Sequence, residues 1–216
     1  MTTYLVPAGY GTGEYEEKRS RFIGQLWPVE TEEEALARIA AVKKEHYDAR
    51  HNCFAYILRE TGTVRYSDDG EPQGTAGQPI LAVLNGAGLQ NVCCTVTRYF
   101  GGVLLGTGGL VRAYTAAAKA AVEDAGISQM ARWQSVTLRC PYNFFERIKR
   151  LLEEQEAVTE STDYGADITI AALVREDKAD AFAAALRDKS AGSITAEVTG
   201  EKFCGVRLGT GAFSEK

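Results

Sequence analysis

The residues best suited to chemistry lie in a glycine-rich segment, residues 98–112, with the sequence RYFGGVLLGTGGLVR. Backbone amides at the start of a helix can bind an anion, and the flanking arginines would add positive charge. The spacing is not that of a P-loop, which ends in Gly-Lys-Ser/Thr, nor the Gly-x-Gly-x-x-Gly of dinucleotide-binding folds. The alternative is a tight crossover that needs glycine for packing alone. The candidate anion- or RNA-binding residues in this segment are Arg98, Gly101, Gly102, Gly106, Gly108, Gly109 and Arg112.

The distribution of acidic residues strengthens this hypothesis. None occurs between Glu71 and Glu123, although the whole chain carries a formal net charge of -5. Arg19 and Arg21, near the start of the chain, could extend the same positive surface. We therefore expect this surface to bind an anionic partner such as RNA phosphate. The net negative charge and the absence of an aromatic and basic RNA-binding motif argue against RNA.

Three carboxylates form a second candidate site, at Asp68, Asp69 and Glu71 within the sequence SDDGEP. Clustered carboxylates can hold magnesium, and two of them can act as a general acid and base. However, Asp-Asp-Gly followed by proline is also a strong turn signal that requires no chemistry. We predict that these side chains serve backbone geometry more than metal binding, and we expect no metal and no cofactor.

The third candidate is the pair His51 and Cys53. Residues two apart on a strand point to the same face, so a thiolate–imidazole nucleophile is conceivable. No orienting Asn or Asp follows at a recognisable position, and a small thiol in an apolar strand usually belongs to the core. We assign no catalytic residue, and we include His51 with the three carboxylates in one possible motif surface.

Periodicity predicts the elements that position these residues. In residues 31–46, Thr31 and Glu34 form a capping box at the start of a helix. Pro79 is compatible with a second helix only in its first turn. The first half has the predicted order β-α-β-β-α-β-α, with one strand before the first helix. The other predicted elements of this half are strands 52–58, 64–67 and 91–100 and helices 75–85 and 110–124, the last ended by Gly126.

The second half has a different pattern, β-α-β-β-α-β, which is the ferredoxin-like order. A linker is expected at residues 126–134 and a loose tail at 201–216. The predicted fold class is therefore α+β, with two α/β-sandwich domains at residues 1–130 (core about 15–125) and 135–200. The predicted elements of the second half are strands 135–140, 158–164, 168–174 and 194–199 and helices 142–154 and 178–189.

Composition sets limits on the class of protein. The 216 residues are 45% hydrophobic, with no stretch of about 18 apolar residues to span a bilayer and no signal-peptide pattern. Five unevenly spaced cysteines without Cys-x-x-Cys, and only two histidines, argue against zinc and for reduced thiols. We expect a cytoplasmic protein with no membrane partner.

Four segments together resemble the IMPACT family, in its bacterial branch. They are residues 18–22, 49–56, 66–79 and 98–114, and the resemblance covers essentially all of residues 15–125. The segment SDDGEPQGTAGQP is similar to the family's signature. The second half resembles, more weakly, the small ferredoxin-like domain appended in bacterial members.

The resemblance implies that the first domain shares its fold with the second domain of a small-subunit ribosomal protein. Both domains together should look like the last two domains of elongation factor G. Eukaryotic relatives restrain the starvation-responsive kinase of translation initiation by competing for its activator, but they carry a different extra domain.

The function implied is that of a non-enzymatic regulator linked to translation, which binds RNA, the ribosome or a translation-associated protein. The same first-domain fold also occurs in small-molecule kinases. A phosphate- or nucleotide-handling enzyme, using the glycine loop with Asp68, Asp69 and Glu71, is therefore the alternative. Fold alone does not decide between them.

Overall fold

The structure is a computed structural model and describes residues 3–208. The chain divides into two compact units between Gln129 and Met130. We refer to Tyr4–Gln129 as the N-terminal unit and to Met130–Val206 as the C-terminal unit. The described residues form two β-sheets and five α-helices, so the predicted mixed fold with two domains is confirmed. Within residues 3–208, no helix combines the length and the apolar composition that crossing a bilayer requires.

The N-terminal unit is built on a five-stranded antiparallel sheet with the order β2-β3-β6-β4-β5. The sequence predicts one strand before the first helix, and the structure has three. The additional β2 has a polar, glycine-containing sequence, GTGEYEE, which lacks the apolar alternation of a half-buried strand. Strand β1 (Tyr4–Pro7) lies outside this sheet, whose five strands are β2 (Gly11–Glu17), β3 (Ser20–Pro28), β4 (His51–Ile57), β5 (Val64–Ser67) and β6 (Val92–Tyr99).

Three helices cover the two faces of this sheet: α1 (Glu32–Glu45), α2 (Gly77–Gly86) and α3 (Gly106–Ala125). Helices α2 and α3 pack on one face of the sheet, and α1 packs on the other. Neighbouring residues of β6 point to opposite faces, so Cys94 belongs to the core under α2 and α3 and Cys93 to the core under α1. The Thr31 hydroxyl accepts from the Glu34 N–H, as a helix cap does. Helix α3 begins at Gly106, four residues before its predicted start, so three of the candidate glycines lie in its first turn.

The C-terminal unit has the predicted β-α-β-β-α-β order. Its strands have the spatial order β8-β9-β7-β10, with α4 and α5 supplying the apolar residues that pack against the sheet. A short 3-10 turn, Glu176–Lys178, precedes α5. The elements are β7 (Ile127–Cys140), α4 (Tyr142–Glu154), β8 (Val158–Tyr164), β9 (Ile168–Arg175), α5 (Ala179–Lys189) and β10 (Ala196–Arg207).

Two predictions about irregular segments differ from the structure. The expected linker at 126–134 is the beginning of β7, because Ala131 and Trp133 alternate with more exposed residues and are buried as in a strand. The expected tail at 201–216 is instead a strand, β10, as far as Arg207. The sequence does not predict this part of β10, because the strand is mostly exposed and polar and has no apolar alternation. Residues 209–216 of the expected tail lie outside the described residues.

Candidate anion-binding cleft

The glycine-rich segment connects the end of β6 to the start of α3 on one side of a cleft in the N-terminal unit. Gly101 is required there by close approach, since a Cβ atom would lie 2.1 Å from the Arg19 carbonyl carbon. The Gly101 N–H also donates to the Ser20 hydroxyl at 3.1 Å. The turn between β2 and β3 is thereby fixed beside the glycine-rich segment, which brings Arg19 to this part of the surface.

The cleft has a volume of about 380 Å³. Three segments form it: the end of β6 with the start of α3, the start of β4, and the turn after Asp69. Its lining includes both polar and apolar side chains. One of the apolar side chains, Leu104, has 83% of its surface exposed. The lining residues are Arg50, His51, Gly70, Glu71, Pro72, Arg98, Phe100, Leu104, Leu105, Gly106, Thr107 and Leu110.

Arg98 forms the floor of the cleft and is not an exposed surface cation. It is only 5% exposed, and its Nη1 donates to Glu71 Oε1 at 2.6 Å. The same oxygen accepts from the Tyr114 hydroxyl at 2.9 Å. The prediction of Arg98 as a surface phosphate contact therefore needs correction: it is a buried, ion-paired arginine, and its carboxylate partner is Glu71. Its Nε is buried and has no hydrogen-bond partner among the described residues.

His51 presents one ring nitrogen to this cluster. Its Nδ1 lies 2.8 Å from the Asp69 carbonyl oxygen. A carbonyl can only accept, so Nδ1 carries the proton and the neutral ring keeps its lone pair on Nε2. Nε2 lies 3.9 Å from Glu71 Oε1, which is too long for a hydrogen bond. In its neutral form the imidazole therefore has a fixed tautomer, and Nε2 is the nitrogen that can accept a hydrogen bond.

Cys53 does not form a nucleophilic pair with His51. Both side chains face the same turn, as predicted, but the thiol donates to the Asp68 carbonyl at 3.0 Å and also lies 3.4 Å from the Tyr114 hydroxyl. Burial raises the pKa of Cys53 to about 12. A thiol in this state stays protonated near neutral pH and belongs to the core.

The carboxylates of Asp68 and Asp69 serve the backbone. Asp68 accepts from the N–H groups of residues 74, 76 and 77 and so satisfies the start of α2. Asp69 accepts from the Asn52 N–H and from Lys43 Nζ, both at 2.7 Å. Burial by itself raises the pKa of Asp69, but these hydrogen bonds outweigh it and lower the pKa below its ordinary value. Within residues 3–208, no three His, Cys, Asp or Glu side chains are placed to hold a metal ion.

Exposed cations lie at the cleft and on the segments next to it. Arg50, which the sequence analysis did not select, lies with its guanidinium 5.9 Å from the Phe100 ring centre. Arg112 lies in the second turn of α3, with Nη1 3.8 Å from the position that a Cβ atom of Gly108 would occupy. Arg21 differs from the other predicted cations, because its guanidinium is engaged by the Glu14 carboxylate.

The structure thus brings some of the predicted residues together and separates others. At the cleft lie His51, Glu71, Arg98 and Gly106, with Gly101 and Arg19 beside it. Gly108, Gly109 and Arg112 follow in the first two turns of α3, and exposed Gly102 lies in the preceding loop. Asp68 and Asp69 support the turn that carries Glu71. The position of Arg50, next to His51 in the resembling segment 49–56, is the signal that could have identified it.

Comparison with known proteins places the chain in a family. Residues 18–122 match the Impact N-terminal domain, and residues 138–193 match a domain of unknown function, DUF1949. The chain is 38% identical over 197 residues to the IMPACT family member YigZ of Escherichia coli, covering 90% of this chain and 97% of that protein. It is 35% identical over 183 residues to YvyE of Bacillus subtilis, covering 84% of each.

A more distant relative and a solved structure are also similar to this chain. The mouse protein IMPACT is 31% identical over 111 residues, which is 49% of this chain and 34% of that protein. A crystal structure of a hypothetical protein is 36% identical, with a TM-score of 0.58, and the match covers 93% of this chain and 98% of that one. The chain belongs to the IMPACT family.

Proposed function

We propose that this protein is a non-enzymatic regulator linked to translation that binds RNA through the N-terminal unit. Membership of the IMPACT family suggests a role related to the regulation of translation. The observation that carries the RNA proposal is a basic face, made of Arg19, Arg50, Arg112 and the first turn of α3. These three arginines are exposed: Arg50 lines the cleft, Arg19 lies in the turn beside Gly101, and Arg112 lies in the second turn of α3.

The charge of the basic face is not neutralised locally. No ion pair is formed by Arg19, Arg50 or Arg112 with any carboxylate in the part of the chain that the structure describes. Glu71 lines the cleft but is buried and paired with Arg98. The first turn of α3 contains no acidic residue, so the positive end of its dipole adds to the same field. Such a field attracts phosphate groups despite the net charge of -5.

Recognition through this face would be of the RNA backbone and shape. Arginine side chains and helix-terminal amides contact phosphate without distinguishing bases. The affinity should therefore fall steeply with salt, because each neutralised phosphate releases counterion. Phe100, exposed at the rim of the cleft, supplies one aromatic surface on which an unpaired base can stack.

The enzymatic alternative has less support from the geometry. It requires carboxylates that are open to a ligand, whereas the oxygens of Asp68 and Asp69 accept hydrogen bonds from backbone amides and from Lys43. Glu71 is already bound by two buried donors, so it has little freedom to hold a metal ion. RNA binding without chemistry is the function that the arrangement supports best.

A charge-reversal experiment tests the proposal. The double variant Arg50→Glu/Arg112→Glu should weaken binding to a labelled oligoribonucleotide by about 1–3 kcal/mol for each arginine–phosphate interaction that it removes, measured by fluorescence anisotropy. The salt dependence should also become shallower. The matched control is Arg38→Glu/Arg65→Glu, which makes the same change in net charge on other exposed parts of the N-terminal unit.

Three results would contradict the proposal. Equal weakening in the two double variants would show that only net charge matters. Unchanged binding in the first variant would remove the basic face from the interaction. Cosedimentation with ribosomes that persists in that variant, without measurable binding to free RNA, would indicate a protein partner instead.

A further inference from the structure

The cleft has the size of a small-ligand site and a lining of both polar and apolar side chains. Its volume of about 380 Å³ falls in the range of ligand pockets. Its lining combines polar side chains, His51 and Arg98, with apolar ones, Phe100 and Leu104, and the Arg98 guanidinium lies 5.5 Å from the Phe100 ring centre. A ligand that joins an anion to a flat apolar group would match this mixed lining.

The floor contains an unsatisfied buried donor. Arg98 is only 5% exposed, it donates through Nη1 to Glu71, and its Nε has no hydrogen-bond partner among the described residues. Buried donors without partners are uncommon in folded proteins, and they often mark a place for a bound ion or ligand. Arg98 lines the cleft, and a guanidinium at this position is suited to phosphate or carboxylate oxygens.

The start of α3 supplies the second half of an anion site. Gly106 and Thr107 line the cleft, and the residue before them, Leu105, provides no side-chain cap. The first N–H groups of the helix therefore lack a side-chain acceptor, and the helix dipole favours negative charge at this point. Arg98, on a different element, and these amides face one common volume.

His51 distinguishes between kinds of phosphate. Its Nδ1 proton is committed to the Asp69 carbonyl, so Nε2 accepts a proton or a hydrogen bond at the cleft. Below its second ionisation, near pH 6, a phosphate monoester keeps one acidic proton, and it can donate this proton in a hydrogen bond to the nitrogen. An internal phosphodiester has no such proton. The arrangement of donors and one acceptor therefore fits a terminal phosphate better than a backbone phosphate.

We propose that the cleft binds a phosphate monoester attached to a nucleoside. The ligand would be the 5′-phosphorylated end of an RNA or a free nucleoside 5′-monophosphate, and the first of these rests on the proposed function. Arg98, His51 and the start of α3 bind the phosphate, while Phe100 and Leu104 contact the base. The protein would then select RNA ends, in addition to binding the backbone through Arg19, Arg50 and Arg112.

A substitution at Thr107 tests the site without weakening the fold. Thr107 is exposed at the second position of α3, where a carboxylate interacts favourably with the helix dipole. Thr107→Glu would place that carboxylate where the phosphate binds, and Thr107→Gln is the control of similar size without charge. Thermal melts of both variants should show that the fold is retained.

The probes are one oligoribonucleotide with either a 5′-phosphate or a 5′-hydroxyl, and AMP compared with adenosine. We expect the natural protein to bind the 5′-phosphorylated oligonucleotide about tenfold more tightly than its 5′-hydroxyl counterpart, as charge-assisted hydrogen bonds would give. AMP should likewise bind more tightly than adenosine. Thr107→Glu should abolish both preferences, and Thr107→Gln should keep them.

The outcomes separate this proposal from RNA binding in general. Equal binding of the two oligonucleotides, with no preference for AMP over adenosine, would overturn the terminal-phosphate proposal and leave RNA binding by the basic face intact. AMP binding that Thr107→Glu abolishes, without RNA binding, would support the cleft and overturn the proposed function. If Thr107→Glu and Thr107→Gln weaken the binding of the phosphorylated probes equally, the added charge is not the cause of the weakening and the proposal is overturned.

Discussion

The buried pair Glu71–Arg98 should be a major contributor to the stability of the N-terminal unit. We expect Glu71→Gln to destabilise this unit strongly. The glutamine oxygen can still accept from Tyr114, but the substitution removes the charge that compensates Arg98. The two charged side chains are only 4% and 7% exposed, so solvent cannot replace the missing partner.

The expected cost follows from the burial. Removing one partner of a buried ion pair costs about 3–5 kcal/mol, because an uncompensated charge remains in the interior. Arg98 also lies 5.5 Å from the ring centre of Phe22, so Arg98→Met would keep an apolar side chain against that ring. The double variant Glu71→Gln/Arg98→Met should cost less than the sum of the single variants, with a coupling energy of about 2–3 kcal/mol.

The measurement is urea denaturation followed by tryptophan fluorescence. The chain contains two tryptophans, Trp27 in β3 and Trp133 in β7. A Trp133→Phe background makes Trp27 the sole tryptophan reporter of the N-terminal unit. All variants, including the reference, are compared in that background, and an unchanged m-value shows that the transition is the same one.

An exposed ion pair of the same unit provides the matched control. Glu14 and Arg21 form a pair in which both side chains are more than half exposed. Such pairs contribute about 0.2–1 kcal/mol, so Glu14→Gln should shift the urea midpoint only slightly. If Glu71→Gln costs no more than Glu14→Gln, burial does not determine the strength of the Glu71 pair and the reasoning is refuted.

Three further predictions concern the turn after β5 and the cysteines. Asp68→Asn should destabilise the N-terminal unit by about 2–3 kcal/mol, since the substitution removes a charged acceptor of three backbone N–H groups; a change below about 0.5 kcal/mol by urea denaturation would contradict this. The lowered pKa of Asp69 means that its stabilising contribution is present above about pH 4 and is lost as the pH falls below its folded-state pKa. The urea midpoints of the natural protein and of Lys43→Met should therefore differ at pH 6 and converge towards pH 2.5, and a constant difference would be contrary to this prediction. Iodoacetamide at pH 8 should label the partly exposed Cys204 first, whereas Cys53, whose pKa burial raises to about 12, should react only on unfolding; mass spectrometry of the peptides decides the order.

Local patterns predict most of the regular elements, because the residues that determine them are close in sequence. The helix that follows Thr31 is an example, since its cap and its periodicity lie within one segment. The predicted start of α3 is four residues too late because glycine is a poor helix former and conceals the first turn. Strand β2 escapes prediction because its polar residues carry no apolar alternation.

The site is harder to predict because its contacts join distant residues. Arg98 has the spacing of a surface cation at a strand end, but its partner Glu71 lies 27 residues away and the pair is buried. Nothing local to either residue indicates that burial. Arg50 reaches the cleft only because β4 pairs with β6, so its position next to His51 is the one sequence signal that points to it. The side chains that bind backbone groups can be recognised by turn chemistry, whereas the side chains that line the cleft cannot.

The turn that contains Asp68, Asp69 and Glu71 supports the cleft mainly by positioning other groups. Asp68 satisfies the start of α2, and Asp69 accepts from β4 through the Asn52 N–H. The Asp69 carbonyl fixes the tautomer of His51, and Glu71 orients the Arg98 guanidinium on the cleft floor. Asp69 and Glu71 therefore position groups that line the cleft, whereas Asp68 holds the turn that carries them. This division of roles reconciles a cluster of three carboxylates with a cleft suited to phosphate, because their negative charge is already compensated by hydrogen bonds.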